Sequence, residues 1–180
     1  MSDMPRRATL DRGRWWLWLI VSSLVVAADQ ASKAAVLASL RPGEERPITD
    51  FFSLVLTFNA GAAFSFLGDA TGWQRYLFAA IAMGASAFIV WLLRRGGGTL
   101  YCAALSLILG GALGNLWDRM SIGRVVDFLF FHHFLPAGLP GASLIDPFPA
   151  FNVADSAISV GAALLILDSL RRQPSKHDSA

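Results

Sequence analysis

Charged residues are scarce in this sequence. Asp, Glu, Lys and Arg make up 16% of its 180 residues, whereas hydrophobic residues make up 54%. Globular domains in water carry roughly 25% charged residues, so this deficit indicates that lipid surrounds much of the chain. The formal net charge of +2 is small and scattered, and we therefore expect no nucleic-acid partner.

Cysteine is almost absent as well. The single Cys102 lies inside an apolar run, which excludes an internal disulfide and offers no support for a zinc site or a thiol nucleophile. His132 and His133 are adjacent and would face different ways in a helix or a strand. No acid or cysteine lies at ligand spacing from them, so we expect neither a metal nor another cofactor.

Long apolar runs are what the sequence does contain. Four of them could cross roughly 30 Å of hydrocarbon as helices, which takes about 20 residues. The predicted spans are about 15–37, 73–93, 99–117 and 153–170. We expect one membrane domain, residues 1–180, with longer outer connections at about 38–72 and 118–152.

Lysine and arginine predict the orientation. They cluster before the first span, in the turn at Arg94 and Arg95, and after the fourth span at Arg171, Arg172 and Lys176. With four spans, all three clusters fall on the same side. The positive-inside rule makes that side cytoplasmic, so both termini are expected there.

The two outer connections predict surface structure. Residues 51–58 alternate, with Phe52, Leu54, Leu56 and Phe58 on one face, which predicts a strand or a small sheet. The second connection is rich in phenylalanine and then, from 136 to 149, in proline and glycine; such aromatic density suits the membrane interface. The predicted fold is mainly α and integral to the membrane, with four transmembrane helices, a small surface β-sheet and an interfacial loop on the outer side.

Polar residues at membrane depth are the strongest functional indication, because each charge there costs at least about 2.5 kcal/mol. They map to the outer ends of the spans and are Asp29, Lys33, Asn115, Asp118, Arg119, Asp127, Asn152 and Asp155. Asp29 and Lys33 have the i, i+4 spacing of a helical ion pair. We interpret this pair as a structural one at the end of the first span.

The third span has one polar and glycine-rich face. Gly111, Gly114, Asn115 and Asp118 share it at helical spacing. The face is either a packing surface of small residues closed by a hydrogen-bonded cluster, or a site at which Asn115 and Arg119 point donors into an outer cavity. The residues alone leave both interpretations open.

Asp127 and Asp155 have no basic partner at helical spacing. A helix dipole would favour Asp155 in the first turn of the fourth span, but it does not account for Asp127. Two such carboxylates can share one proton, so that one activates water and the other protonates a carbonyl oxygen or leaving group. A proton-coupled transporter using the same carboxylates and a purely structural or interaction protein remain alternatives, although no internal repeat of the transporter kind is visible.

Five blocks of residues carry a resemblance to a known family. In chain order they are Asp29–Gln30 with Lys33, Thr57–Phe64, Gly110–Asn115 with Asp118–Arg119, Val125–Phe128, and Phe151–Ser156. On these blocks the chain resembles the bacterial lipoprotein signal peptidases, which are intramembrane aspartic peptidases. One block alone would be weak, but five in the family's order cover nearly the whole chain.

The resemblance implies roles for individual residues. The implied catalytic dyad is Asp127 and Asp155. The implied substrate-binding residues are Asn59, Gly61, Asn115, Arg119, Val125 and Asn152. The implied supporting residues are Asp29, Lys33, Gly111, Asp118 and Ala154.

The resemblance also implies a reaction and a place. The enzyme would remove the signal peptide from diacylglyceryl-modified prolipoproteins, cutting on the amino side of the lipidated cysteine without a metal. Its partners would be the lipidated substrate and membrane lipid. It would be a monomer in the bacterial cytoplasmic (inner) membrane, with its site near the outer leaflet. The connection around 136–146 is longer than the family's pattern, which leaves open how this loop covers the site.

Overall fold

The computed structural model describes residues 14–60, 72–135, 141 and 145–172. Within these ranges the helices are α1 (Leu17–Ser39), α2 (Gln74–Arg95), α3 (Thr99–Ser121) and α4 (Val153–Arg172). The strands are β1 (Glu45–Thr49), β2 (Phe52–Asn59), β3 (Val125–Phe131) and β4 (Phe148–Phe151). All four helices are long and apolar enough to cross a membrane. The predicted fold class, mainly α with four transmembrane helices and a small β-sheet, is confirmed.

The C-terminal end of α3 lies further along the chain than the sequence indicated. The helix continues to Ser121, so Asp118 and Arg119 belong to it rather than to the outer connection. The side chain of Asp118 is only 5% exposed, and its carboxylate is paired with the ammonium of Lys33 at 2.8 Å. At the other end of the bundle, Gly96 has a φ of 77° and ends α2.

Helix α3 is the centre of the bundle. It packs against α1, α2 and α4, and half of its apolar segment is buried, against 22% or less in the other three helices. The other helices therefore turn most of their surface outward, as expected where lipid is the solvent.

Glycines on α3 let two helices approach closely. A Cβ atom on Gly110 would lie 2.6 Å from Cβ of Val25 and 2.7 Å from the carbonyl oxygen of Ser22, both on α1. A Cβ on Gly111 would overlap the carbonyl oxygen of Ala154 on α4. Small residues at these positions allow backbone-to-backbone packing, so α1 and α4 both lie directly against α3.

The four strands form one antiparallel sheet in the order β1-β2-β3-β4. Its second strand does not alternate uniformly, because the pairing of β2 with β3 shifts between Leu54 and Thr57. A bulge of this kind changes the faces of the residues that follow it. Ser53 and Leu56, three positions apart, are accordingly both buried, and the alternation predicted for residues 51–58 is interrupted.

The sheet packs on the C-terminal end of α1. Val36 and Leu40 of α1 form an apolar cluster with Leu56, Val126 and Phe128 of the sheet. Since neighbouring side chains of a strand point to opposite faces, Val126 and Phe128 in this cluster leave the side chain between them on the opposite face of β3. That side chain is Asp127.

Candidate active site

Asp127 and Asp155 line one cavity of about 510 Å³. Asp127 comes from the middle of β3, and Asp155 from the first turn of α4. The predicted site residues that line the same cavity are Asn59, Asn115, Arg119 and Val125. The packing of the sheet against the helices therefore brings together residues that are far apart in the sequence.

Both oxygens of Asp127 accept hydrogen bonds. Nδ2 of Asn59 donates to one at 3.1 Å, and Nδ2 of Asn152 donates to the other at 2.7 Å. Burial raises the pKa of Asp127 to about 7, and the charge of Asp155 adds to the increase, while the hydrogen bonds from the two asparagines oppose it. Asp127 is thus a carboxyl group that holds or releases a proton near neutral pH.

Asn152 connects the two aspartates. Its side chain is fully buried, and Oδ1 accepts the backbone N–H of Asp155 at 2.9 Å, which is the hydrogen bond of an N-cap residue. The amide nitrogen of the same side chain donates to Asp127. One residue therefore starts α4, sets the position of Asp155 and binds the other carboxylate.

Asn115 completes the connection from α3. Its Nδ2 donates to Oδ1 of Asp155 at 2.7 Å, and its Oδ1 accepts from Nδ2 of Asn152 at 3.2 Å. The two carboxylates are joined in this way through two amides, Asn152 and Asn115. Amide donors of this kind stabilise an ionised carboxylate, so the cavity can hold a negative charge at the pair.

Arg119 adds a positive charge to the cavity wall. One of its guanidinium nitrogens donates to the carbonyl oxygen of Asn115 at 3.2 Å, and the guanidinium lies 5.4 Å from the ring centroid of Phe78 on α2. Val125 is paired with Asn59 in the register of β2 and β3. That register is what places Asn59 beside Asp127.

The implied supporting residues lie behind the dyad. Asp29, Lys33 and Asp118 form a buried cluster in which the ammonium lies 2.8 Å from each carboxylate. Gly111 and Ala154 are in direct contact where α3 meets α4. Gly61 lies outside the described residues.

Sequence reasoning missed one wall of the cavity. Phe148, Pro149, Ala150 and Phe151, which form β4, line it together with Ser156 and Ser159 of α4. The sequence predicts a proline- and glycine-rich interfacial loop over residues 136–149 and gives no role in the cavity to residues 148–150. One feature of the sequence could have indicated this wall: residues 148–151 directly precede the block from Asn152 to Asp155.

The other polar residues singled out in the sequence lie elsewhere. Nε2 of His132 is 2.8 Å from Oγ of Ser53, and the Nδ1 atoms of His132 and His133 are 3.0 Å apart; neither histidine lines the cavity. Among the described residues, no three His, Cys, Asp or Glu side chains are grouped closely enough to hold a metal ion. A further acidic residue, Asp168, pairs with Arg172 at 2.7 Å near the far end of α4 and does not line the cavity.

Comparison with known proteins gives consistent matches. The sequence model of the signal peptidase (SPase) II family matches residues 21–171. The chain is 53% identical over 156 residues to the lipoprotein signal peptidase of Ralstonia nicotianae, covering 86% of this chain and 84% of that protein. It is 52% identical over 161 residues to the lipoprotein signal peptidase of Cupriavidus taiwanensis, covering 87% and 84%.

Solved structures resemble the fold. A bacterial membrane enzyme determined by the in meso method at 2.3 Å resolution superposes with a TM-score of 0.75 and 26% sequence identity, covering 91% of this chain and 93% of that one. A second such structure, at 1.9 Å resolution, gives a TM-score of 0.72 and 26% identity, covering 87% and 94%. The similarity therefore extends over nearly the whole fold.

Proposed function

The chain belongs to the signal peptidase II family and removes signal peptides from lipoproteins, and on this premise we propose that Asp127 and Asp155 are its catalytic dyad. The observation that carries the assignment is that both carboxylates line one cavity and are joined through Asn152 and Asn115. Family membership decides against the proton-coupled transporter that the residues alone left open.

The two aspartates have different tasks in the reaction. Asp127, whose pKa is raised to about 7 mainly by burial, holds the proton of the dyad and donates it to the scissile carbonyl oxygen. Asp155, ionised and hydrogen-bonded to Asn115, removes a proton from the attacking water. The water oxygen bonds to the carbonyl carbon, which gives a neutral tetrahedral diol and leaves the dyad with its proton on Asp155.

Collapse of the diol restores the dyad. Asp155 donates its proton to the leaving nitrogen as the C–N bond breaks, and Asp127 accepts a proton from a diol hydroxyl, so the products are a carboxylic acid and an amine. Asn59 and Asn152 hold Asp127 in place throughout. Arg119 and Asn115, with Val125 on the sheet, form the surface on which the substrate peptide is positioned.

We assign the substrate as a prolipoprotein whose cysteine carries a diacylglyceryl group, cut on the amino side of that cysteine. Acyl chains hold such a cysteine at the headgroup level, at about 0.8 kcal/mol for each buried methylene. A peptidase acting on it needs its carboxylates at that depth. Asp155 lies in the first turn of α4, and Asn115, which is hydrogen-bonded to it, lies in the last two turns of α3. The carboxylate of Asp155 is therefore near the ends of two membrane-spanning helices, at the depth that this substrate requires.

The orientation follows from the two ends of the bundle. The arginines that end α2 and α4 lie at the end opposite to Asp155, and the guanidinium of Arg172 is 5.5 Å from the ring of Tyr101 near the start of α3. With this basic end in the cytoplasm, both termini are cytoplasmic and the dyad lies near the outer leaflet of the inner membrane. Because this one chain supplies both aspartates, a monomer is sufficient for the reaction.

The direct test is a cleavage assay on purified protein in detergent. We expect a gel shift of a diacylglyceryl-modified prolipoprotein, with mass spectrometry placing the cut before the lipidated cysteine. The matched substrate with an unmodified cysteine is expected to react at least about 100-fold more slowly, because it lacks the binding energy of the acyl chains. Folded enzyme that leaves the lipidated substrate uncut, or cuts both equally well, would contradict the proposal.

The pH dependence tests the proton on the dyad. A carboxyl group with its pKa raised to about 7 is neutral below that pH and charged above it. If the neutral form of Asp127 is required, kcat/KM falls above pH 7 by about tenfold for each pH unit. Far-UV circular dichroism at each pH controls for unfolding. A value of kcat/KM that stays constant from pH 7 to 9 would remove Asp127 from the role of proton donor.

A further inference from the structure

Lys33 is buried at the centre of a cluster of polar groups. Its side chain is 2% exposed, and its Nζ lies 2.8 Å from Oδ2 of Asp29 and 2.8 Å from Oδ2 of Asp118. It also donates to Oδ1 of Asn115 at 3.1 Å. Buried ion clusters of this kind often add less stability than well-packed apolar side chains would. Stability alone therefore does not account for the cluster.

The two carboxylates bound to Lys33 make equivalent contacts with the two elements that carry the dyad. Oδ1 of Asp29 accepts the backbone N–H of Ala154 at 2.9 Å, and Oδ2 of Asp118 accepts the backbone N–H of Val126 at 3.1 Å. Ala154 directly precedes one dyad aspartate in the chain, and Val126 directly precedes the other. Each carboxylate thus holds the backbone one residue before a catalytic group.

Lys33 also determines how Asn115 is oriented. An ammonium group can only donate hydrogen bonds, so Asn115 presents its oxygen to Lys33 and its nitrogen to Asp155. The donation from Asn152 to the same oxygen agrees with this orientation. Without the ammonium, Asn115 can turn its oxygen towards Asp155, which would favour the protonated form of that carboxyl group.

We propose that Lys33 is a positioning residue for the dyad. It holds Asp29 and Asp118 where each binds the amide that precedes a catalytic aspartate, and it fixes the orientation of the Asn115 side chain. The charged groups that surround it are these two carboxylates, the two dyad aspartates and, further along α3, Arg119. The inference rests on the proposed dyad.

The test is steady-state kinetics of Lys33→Met with the lipidated prolipoprotein, normalised to folded enzyme. We expect kcat to fall at least about 100-fold, because small displacements of catalytic groups have effects of this size, while KM changes by less than about threefold. We also expect the alkaline limb of the pH profile of the remaining activity to move up by about one pH unit, because a nearby cation no longer favours the charged dyad. If Lys33 had only a structural role, neither kcat nor the pH of the alkaline limb would change in the folded fraction of the variant.

Two variants control for loss of charge and loss of stability. Lys33→Arg retains the charge, so it is expected to recover part of kcat and to leave the alkaline limb at the wild-type pH. Ser22→Ala on the same helix removes a buried hydrogen bond of 2.9 Å to the carbonyl oxygen of Ser106. Because neither residue lines the cavity, the variant is expected to keep the wild-type kcat even if its melting temperature falls.

The possible outcomes distinguish a failure of this inference from a failure of the proposed dyad. If wild-type enzyme cleaves, Asp127→Asn does not, and Lys33→Met keeps the wild-type kcat and pH profile, only the role of Lys33 is overturned. If Lys33→Met does not fold, the Asp118→Asn variant is measured in its place. It removes one carboxylate bound to Lys33 but keeps Lys33 paired with Asp29. A kcat at least about tenfold lower at unchanged KM supports the proposal, and a wild-type kcat in that variant overturns it.

Discussion

Asp127→Asn and Asp155→Asn are each expected to lower kcat by at least about 1,000-fold. An amide can neither take a proton from water nor give one to the carbonyl oxygen, and general acid and base contributions of this kind are worth about 100- to 10,000-fold each. KM should change little, because the amide keeps the size of the side chain. The measurement is the gel-shift assay with lipidated prolipoprotein at enzyme concentrations high enough to detect slow turnover.

A carboxylate outside the cavity is the matched control. Asp168 lies on α4 like Asp155, but it pairs with Arg172 at 2.7 Å near the opposite end of the helix. Asp168→Asn is therefore expected to keep the wild-type kcat. If either dyad variant is folded and retains more than about a tenth of the wild-type kcat, its carboxylate is not an acid or base of the reaction.

Gly111→Ala is expected to reduce both stability and activity strongly. The new Cβ atom would overlap the carbonyl oxygen of Ala154, and backbone cannot move aside as a flexible side chain can. Overpacking of this kind costs about 1–3 kcal/mol, which corresponds to a fall in melting temperature of about 3–10 °C. Since Asp155 follows Ala154 directly, the displacement also moves the dyad, and we expect kcat to fall at least about 100-fold.

Gly84 on α2 provides the control for this substitution. A Cβ atom there would meet nothing within 4 Å, and alanine is favoured over glycine inside a helix by about 1 kcal/mol. Gly84→Ala is expected to keep full activity and an equal or higher melting temperature. If Gly111→Ala and Gly84→Ala had the same kcat and the same melting temperature, the close contact between α3 and α4 would have no effect on the site.

The parts of the fold that sequence alone predicted are those encoded locally. Runs of about 20 apolar residues indicate helices because the bilayer requires that length, and the alternation around Leu54 indicates a strand because strands have a period of two. The cavity likewise contains Asp127 and Asp155, whose lack of a local basic partner had marked them. Their catalytic roles remain a prediction that the kinetics above will test.

The remaining features depend on packing between distant parts of the chain. Spacing identified Asp29 as a partner of Lys33, but the second partner, Asp118, is brought in by the packing of α1 against α3. The bulge in β2 and the contribution of β4 to the cavity follow from how the strands pair. Neither pairing has a local pattern in the sequence, so the sheet could be predicted but its register could not.

The origin of the dyad on two separate elements has a consequence for biosynthesis. Asp127 is synthesised with β3, but Asp155 arrives only later, with α4, which is the last of the helices within the described residues. Until then, a nascent chain has one of the two carboxylates and lacks the Asn152 amide that holds it. If these two aspartates are the catalytic dyad as proposed, a chain that ends before α4 is expected to lack proteolytic activity.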